Sequence, residues 1–293
     1  MANLKEIRTR LASVKTTRQI TSAMKMVSAA KLRKSQDAII QMRPYANALQ
    51  QIFKNLSQNV ESPGIDLYKN TREVHRALFV VITSNKGLCG AFNSNITKKL
   101  IADINEEFAL LNSAGNAEIF CIGKKGAELL QSKGFKINHS KHEIFDNLTY
   151  KSARDIAIGL IDKYLKGEYD LIRLYYNNFK NAGTQVVTCE QYLPFPIEPV
   201  KNYEQEYLDY ILEPSKEEII TDLIPKSLKI QFYKALLESN ASEHGARMTA
   251  MHKATDNATE LIKTLQLDYN KARQASITNE ILEIVGGAEA LKG

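Results

Sequence analysis

Before Pro44 the chain contains neither glycine nor proline, and its apolar residues recur at helical steps. Leu4, Ile7, Leu11 and Val14 form one run and Ile20, Met24 and Val27 a second, each stepping by three or four. The pattern resumes with Tyr45, Leu49, Ile52 and Leu56 and ends at the turn signal Ser62–Pro63–Gly64. This spacing predicts one long helix, bent at Pro44. About 57 residues at ~1.5 Å each would reach roughly 85 Å, more than a compact domain of this chain length needs.

The other end of the chain answers it. Ser215 and Glu218 have capping-box spacing ahead of Ile219, which predicts a helix start, and Pro225 predicts a kink or a restart. From Met251, the positions Thr255, Ala258, Ile262, Leu265, Tyr269, Ala272 and Ser276 follow by alternating fours and threes. That is the coiled-coil period, and the many small or polar residues on it require a partner helix at close approach. Gly286–Gly287 predicts the stop. Two long terminal helices are expected to run antiparallel.

Between them, strand-like apolar runs alternate with amphipathic stretches. RALFVVITS and AEIFCIG read as buried strands, and helices are expected near Asn93–Leu110, over GAELLQSKG and over Ala153–Leu165. DLIRLYYNNF and TQVVTCEQYL read as a hairpin around KNAG. The fold class is α/β: a long antiparallel coiled coil plus a small Rossmann-like α/β domain with a mostly parallel sheet. The expected segments are 1–60 (N-terminal helix), 74–193 (central domain) and 215–287 (C-terminal helix).

Charge narrows the function. The net charge is +6, but Met1–Lys34 holds nine basic residues and only Glu6 as an acid, a local +8. One-sided charge on a helix points to an acidic partner, either a protein surface or a nucleic acid. Aromatics do not interleave with the basic run, Tyr45 being the first, which weakens a nucleic-acid reading. No apolar stretch of eighteen residues occurs, which excludes a membrane-spanning helix. MANLKEIRTR has neither the apolar core of a secretory signal nor the extent of a transit peptide, so the chain is expected to stay where it is made.

No motif supports catalysis. In SNKGLCG, Lys86 precedes Gly87, and no Ser or Thr follows where a P-loop requires it. GKKG at Gly123–Gly126 reads as a glycine-bounded strand-to-helix turn. His139 and His142 form HxxH with no pattern to complete a metal site, and Cys89, Cys121 and Cys189 read as small buried hydrophobes. Catalytic, cofactor-binding and metal residues are expected to be none. Arg247, Gln274 and Thr278, and the Met24–Lys25–Met26 run in the basic stretch, are instead candidate contacts for an enclosing partner.

ITSAMKMVSAAKLRKSQ, SNKGLCGAFN and the long run from ARMTAMHKATDNATELI to NEILEIVGGAEAL together resemble the gamma subunit of F-type ATP synthases, over essentially the whole chain. The resemblance implies a non-catalytic rotor shaft inside three alpha and three beta subunits. Its α/β domain would lie near the epsilon subunit and the ring of membrane c subunits. Proton flow would turn the c ring and the shaft, driving each beta subunit in turn through its states. By this likeness Met24 and Lys25 match positions near an acidic loop of beta, and Arg247, Gln274 and Thr278 match positions that hydrogen-bond a beta loop. Tyr207, Tyr210 and Glu213 match the foot facing the c ring, although YLDYILEP departs from the family wording. Arg247→Ala with Gln274→Ala is expected to weaken ATP synthesis in a chain that still folds. The expected location is peripheral, on the cytoplasmic face of a bacterial inner membrane. The rivals are an enzyme with a nucleotide site at Lys86 and a nucleic-acid binder using the basic helix.

Overall fold

The computed structural model describes residues 4–57, 68, 73–195 and 216–290. In order these form α1 (Leu4–Ser57), β1 (Ala77–Ile82), α2 (Phe92–Glu107), α3 (Ala109–Ser113), β2 (Ala117–Ile122), α4 (Lys124–Gln131), β3 (His139–Lys141), a 3-10 turn (Glu143–Phe145), α5 (Tyr150–Leu165), β4 (Leu171–Asn181), β5 (Thr184–Leu193) and α6 (Lys216–Ala290). Two compact units divide the chain. Met1–Ser28 with Met248–Gly293, the two ends of the chain, make one unit, called outer by its place in the sequence, and Ala29–Arg247 the other, called inner on the same basis.

The inner unit is built on a five-stranded sheet of order β3-β2-β1-β4-β5. β1 pairs in parallel with β2 and β4, β2 pairs in parallel with β3, and β5 returns antiparallel to β4. All six residues of β1 are buried, because both faces of a parallel sheet are covered by helices. Alternate side chains feed two cores. Leu78, Val80 and Ile82 meet Ile156, Leu160 and Tyr164 of α5 and Leu228, Phe232 and Leu236 of α6. Phe79 and Val81 face Ile96, Leu100 and Ile104 of α2 and Leu130 of α4.

Four local expectations change. The helix expected over Asn93–Leu110 stops at Glu107, where Phe108 turns out of helical geometry to pack edge-on against Phe79 at 5.0 Å between ring centroids. β3 is an additional strand whose residues, His–Ser–Lys, are all exposed and carry no apolar pattern. α6 does not restart at Pro225 but runs through it, the fully buried neighbours Ile224 and Leu228 holding that stretch in the core. It also runs through Gly286 and Gly287, neither of which takes the left-handed backbone that ends a helix. Ser215, the expected cap, lies outside the described residues.

The outer unit is a pair of helical segments. Thr21 meets Thr255, and Lys25 meets His252, so α1 and α6 run antiparallel there. Met251, Ala258 and Leu265 are buried, and Thr255, Ile262, Tyr269, Ala272 and Ser276 are half-buried, so every position of the expected seam on α6 is covered. On α1 the seam differs from the apolar run. Thr21 and Ser28 are buried, while Ile20 and Val27 are 54% and 58% exposed. A 3.5-residue period carried on from Leu11 and Val14 reaches Thr21 and Ser28, and small side chains there let the helices come close. Among the described residues no helix is long and apolar enough to cross a membrane.

Candidate functional site

The outer unit presents an unusual helix surface. Arg8, Arg10, Lys15 and Arg18 are exposed and, among the described residues, form no ion pair. Ile20, Met26 and Val27 are large, apolar and exposed on the same helix. Basic heads and bare apolar side chains on one helix suit a partner that is acidic at some points and apolar at others. Lys25 is half-buried and donates through Nζ to His252 Nδ1 at 3.3 Å, across to α6. His252 Nδ1 also lies 3.4 Å from Asp256 Oδ2. Met24 is half-buried beside it. Further along α6, Gln274 and Thr278 are exposed, and Thr278 Oγ1 donates to Gln274 O at 2.9 Å. Among the described residues the Gln274 side-chain amide makes no hydrogen bond.

Arg247 is placed differently. It is only 7% exposed, and its donors are taken up inside the inner unit. Nη1 donates to Glu243 Oε1 at 2.7 Å, Nη2 to Lys86 O at 2.8 Å, and Nε to Gly87 O at 3.3 Å. Burial pushes the Glu243 carboxyl up, and the Arg247 guanidinium pulls it partly back. Burial, then Arg247 and Lys31, hold His244 down to about 4, so its ring is neutral at pH 7. Glu243 was not singled out in the sequence, although its i,i+4 spacing to Arg247 is the signal that could have found it.

The loop that Arg247 grips is the SNKGLCG turn. Ser84 N–H donates to Asn93 Oδ1 at 3.0 Å, Ser84 Oγ donates to Lys86 O at 2.7 Å, and Asn93 Nδ2 donates to Ser84 Oγ at 2.7 Å. Leu88 and Gly90 take positive φ of 61° and 60° to make the turn. Ser84 is thus held by Asn93 and the Lys86 carbonyl, the Asn85 side chain bonds His142 O and the Lys124 N–H, and two of the loop's carbonyls bind a guanidinium. A phosphate cradle would need those elements turned the other way. The GKKG turn is built for packing: a Cβ on Gly123 would lie 2.1 Å from Thr83 O, and one on Gly126 2.5 Å from Thr83 Oγ1. Cys89 and Cys121 are buried and Cys189 half-buried, and burial pushes the Cys121 thiol up to about 12.

The sequence-predicted residues therefore fall into separate groups. Met24 and Lys25 lie on the α1 face of the outer unit, and Gln274 and Thr278 on its α6 end. Arg247 is inside the inner unit. Tyr207, Tyr210 and Glu213 lie outside the described residues.

Comparison with known proteins follows the same lines. A family model described as ATP synthase matches residues 3–291. The ATP synthase gamma chain of Flavobacterium johnsoniae is 58% identical over 294 residues, covering 100% of each chain. A chain of the central stalk and c-ring structure of the Tetrahymena thermophila mitochondrial ATP synthase is 29% identical, with a TM-score of 0.58, over 80% of this chain and 99% of that one. The fold is shared with a chain of the Euglena gracilis mitochondrial ATP synthase at 20% identity and a TM-score of 0.68, covering 98% and 94% of the two chains.

Proposed function

The chain belongs to the gamma-chain family of the ATP synthases, and from that premise we propose how its surfaces serve the central shaft of the rotor. As that shaft it couples rotation of the c ring to the successive conformations of the beta subunits, with three alpha and three beta subunits around it and epsilon and the c ring as its other partners. The chain itself is a non-catalytic subunit. The complex it serves is the proton-transporting two-sector synthase, and the chain reaches the membrane peripherally, through that complex, on the cytoplasmic face of a bacterial inner membrane. Segments 1–60 and 215–287 are proposed as the coiled-coil helices and 74–193 as the α/β domain.

The observation that carries this reading is the helix pair of the outer unit. Its seam mixes the buried Leu11, Met251 and Leu265 with small and polar residues such as Thr21, Ser28 and Ala258, while Arg8, Arg10, Lys15, Arg18, Ile20, Met26 and Val27 face outward. Such a pair is poorly stabilised alone and suited to being enclosed. A ligand shifts an equilibrium only by its differential affinity for the two states. The shaft must therefore touch one beta conformation differently from the next, and an uneven pattern of charge and apolar groups supplies that difference. Met24 and Lys25 make the contact to an acidic beta loop. Gln274 and Thr278 bond a second beta loop. Arg247 contributes through the Lys86–Gly87 loop that it holds, and Tyr207, Tyr210 and Glu213 face the c ring.

The test uses the tagged chain purified from its native membranes in mild detergent. Mg-dependent ATPase and two larger partners, each in threefold excess over the chain, are expected to accompany it. A chain that emerges alone and inactive from fresh membranes would overturn the reading. In reconstituted vesicles, Gln274→Ala with Thr278→Ala should lower ATP synthesis while the complex stays assembled. Unchanged synthesis would remove those two contacts.

A further inference from the structure

Glu238, on the inner-unit part of α6, is 1% exposed, and each of its carboxylate oxygens has a separate partner. Oε1 accepts from Arg43 Nη2 of α1 at 3.0 Å, and Oε2 accepts from the backbone N–H of Phe179 on β4 at 3.1 Å. One side chain thus joins both long helices to the sheet. The β1–β4 ladder ends at the Val81–Tyr175 pair, so Phe179 lies on the part of β4 beyond β1.

Two further contacts flank Glu238 on α6 at seven-residue spacing. Gln231 Nε2 donates to Glu190 Oε1 of β5 at 2.9 Å. At Gly245, an added Cβ would lie 3.2 Å from Ala182 Cα in the hairpin turn. Positions 231, 238 and 245 therefore form one stripe of α6 laid along the β4–β5 hairpin. The rest of this side packs mainly through Leu228, Phe232 and Leu236, with the Tyr192 hydroxyl of β5 donating to Leu228 O at 3.1 Å. Apolar burial is non-directional and permits sliding and rotation at little cost. A buried carboxylate is costly unless both oxygens are used, and a leucine of similar size would commonly give equal or greater stability. What the carboxylate supplies and leucine cannot is a fixed register between helix and strand.

We propose that Glu238 is a positioning residue for rotary coupling, locking α1 and α6 in register with β4 so that torque passes between sheet and helices without slip. This rests on the shaft reading above. The lock holds in both directions of rotation, because its two bonds leave the carboxylate toward different elements. Slip would appear as turnover of ATP without a matching movement of protons.

The experiment places the assembled synthase carrying this chain in inverted vesicles, and reads ATP hydrolysis and ATP-driven proton pumping in the same sample. Glu238→Leu keeps the volume and removes the bonds. Its hydrolysis should stay within twofold of the parent, while protons pumped per ATP fall at least threefold. Glu238→Gln, whose amide oxygen can still accept from the Phe179 N–H, should recover at least half of that loss. A parent-like pumping ratio in Glu238→Leu, or a parallel fall of both rates in assembled enzyme, would overturn the lock. Should Glu238→Leu fail to assemble, Arg43→Met is read by the same ratio, and an unchanged ratio there is equally decisive. Parent vesicles that hydrolyse ATP without pumping would overturn the shaft reading itself, whatever the variants do.

Discussion

Arg247 and Glu243 are joined at 2.7 Å, one helical turn apart, and both are nearly enclosed. The guanidinium also holds the carbonyls of Lys86 and Gly87, so the pair fixes the loop that follows the central strand β1 against α6. A residue matched by family likeness to a contact position thus spends its hydrogen bonds inside the chain.

Removing one partner should be costly. Arg247→Ala leaves a buried carboxylate and two carbonyls without their donor, which is expected to destabilise the chain by about 3–5 kcal/mol. The expectation that this variant folds normally is therefore replaced by one of partial unfolding. Arg247→Met with Glu243→Leu removes both charges and should recover most of the loss. Urea midpoints of the three chains decide the matter, and equal midpoints for all three would show that the pair adds nothing.

The same cluster gives a pH signature. His244 is held down to about 4, below its unfolded value of 6.5, so the unfolded chain binds more protons between those values. Its contribution to stability is present above pH 6.5 and is lost as pH falls toward 4. Glu243 is shifted upward, and its contribution is lost as pH rises through its raised value, which opposes His244. His244→Gln removes only the first effect. Relative to the parent, the variant should gain about 2 kcal/mol between pH 7 and pH 4.5 in urea unfolding. A constant difference across that range would refute the assignment.

The strand-to-helix turn makes a steric prediction. Gly123 has φ of 111° and no room for a Cβ against Thr83 O. Gly123→Ala should cost roughly 3 kcal/mol from combined strain and overlap. Gly126→Ala meets only the Thr83 side chain, so Thr83→Ala should rescue it and not Gly123→Ala. Thermal midpoints of the two pairs separate a side-chain clash from a backbone clash.

How far the sequence could be read depends on the kind of signal. Met251 to Ser276 was legible because one period persists over the whole stretch, and each of its positions is covered in the structure. β1 was legible as a continuous apolar run. On α1 the apolar spacing does not mark the seam, for Ile20 and Val27 are exposed while Ser28 is buried: hydrophobicity marks what can be buried, and close helix approach selects small residues. β3 has no local signature, since His139 to Lys141 become a strand only by pairing with Phe120 to Ile122. The Glu238 and Arg247 nodes join residues far apart in sequence, and no spacing rule brings Arg43 to Glu238 or Lys86 to Arg247.

The end of α6 yields the last prediction. Every residue from Ile277 to Glu289 is exposed, including Ile277, Ile281, Leu282, Ile284 and Val285. Isolated helical turns are marginal in water, and each of Gly286 and Gly287 costs about 1 kcal/mol relative to alanine. In the free chain this segment should exchange its amide hydrogens nearly as fast as an unfolded peptide. Inside the assembled synthase it should become protected, because the exposed apolar stripe gains a surface to cover it. Hydrogen exchange read by mass spectrometry on both forms tests this peptide by peptide. Strong protection in the free chain would mean that the segment is ordered without a partner. The apolar stripe would then need another explanation, because a stable helix with bare isoleucines and leucines should self-associate, and the free chain would sediment as an oligomer.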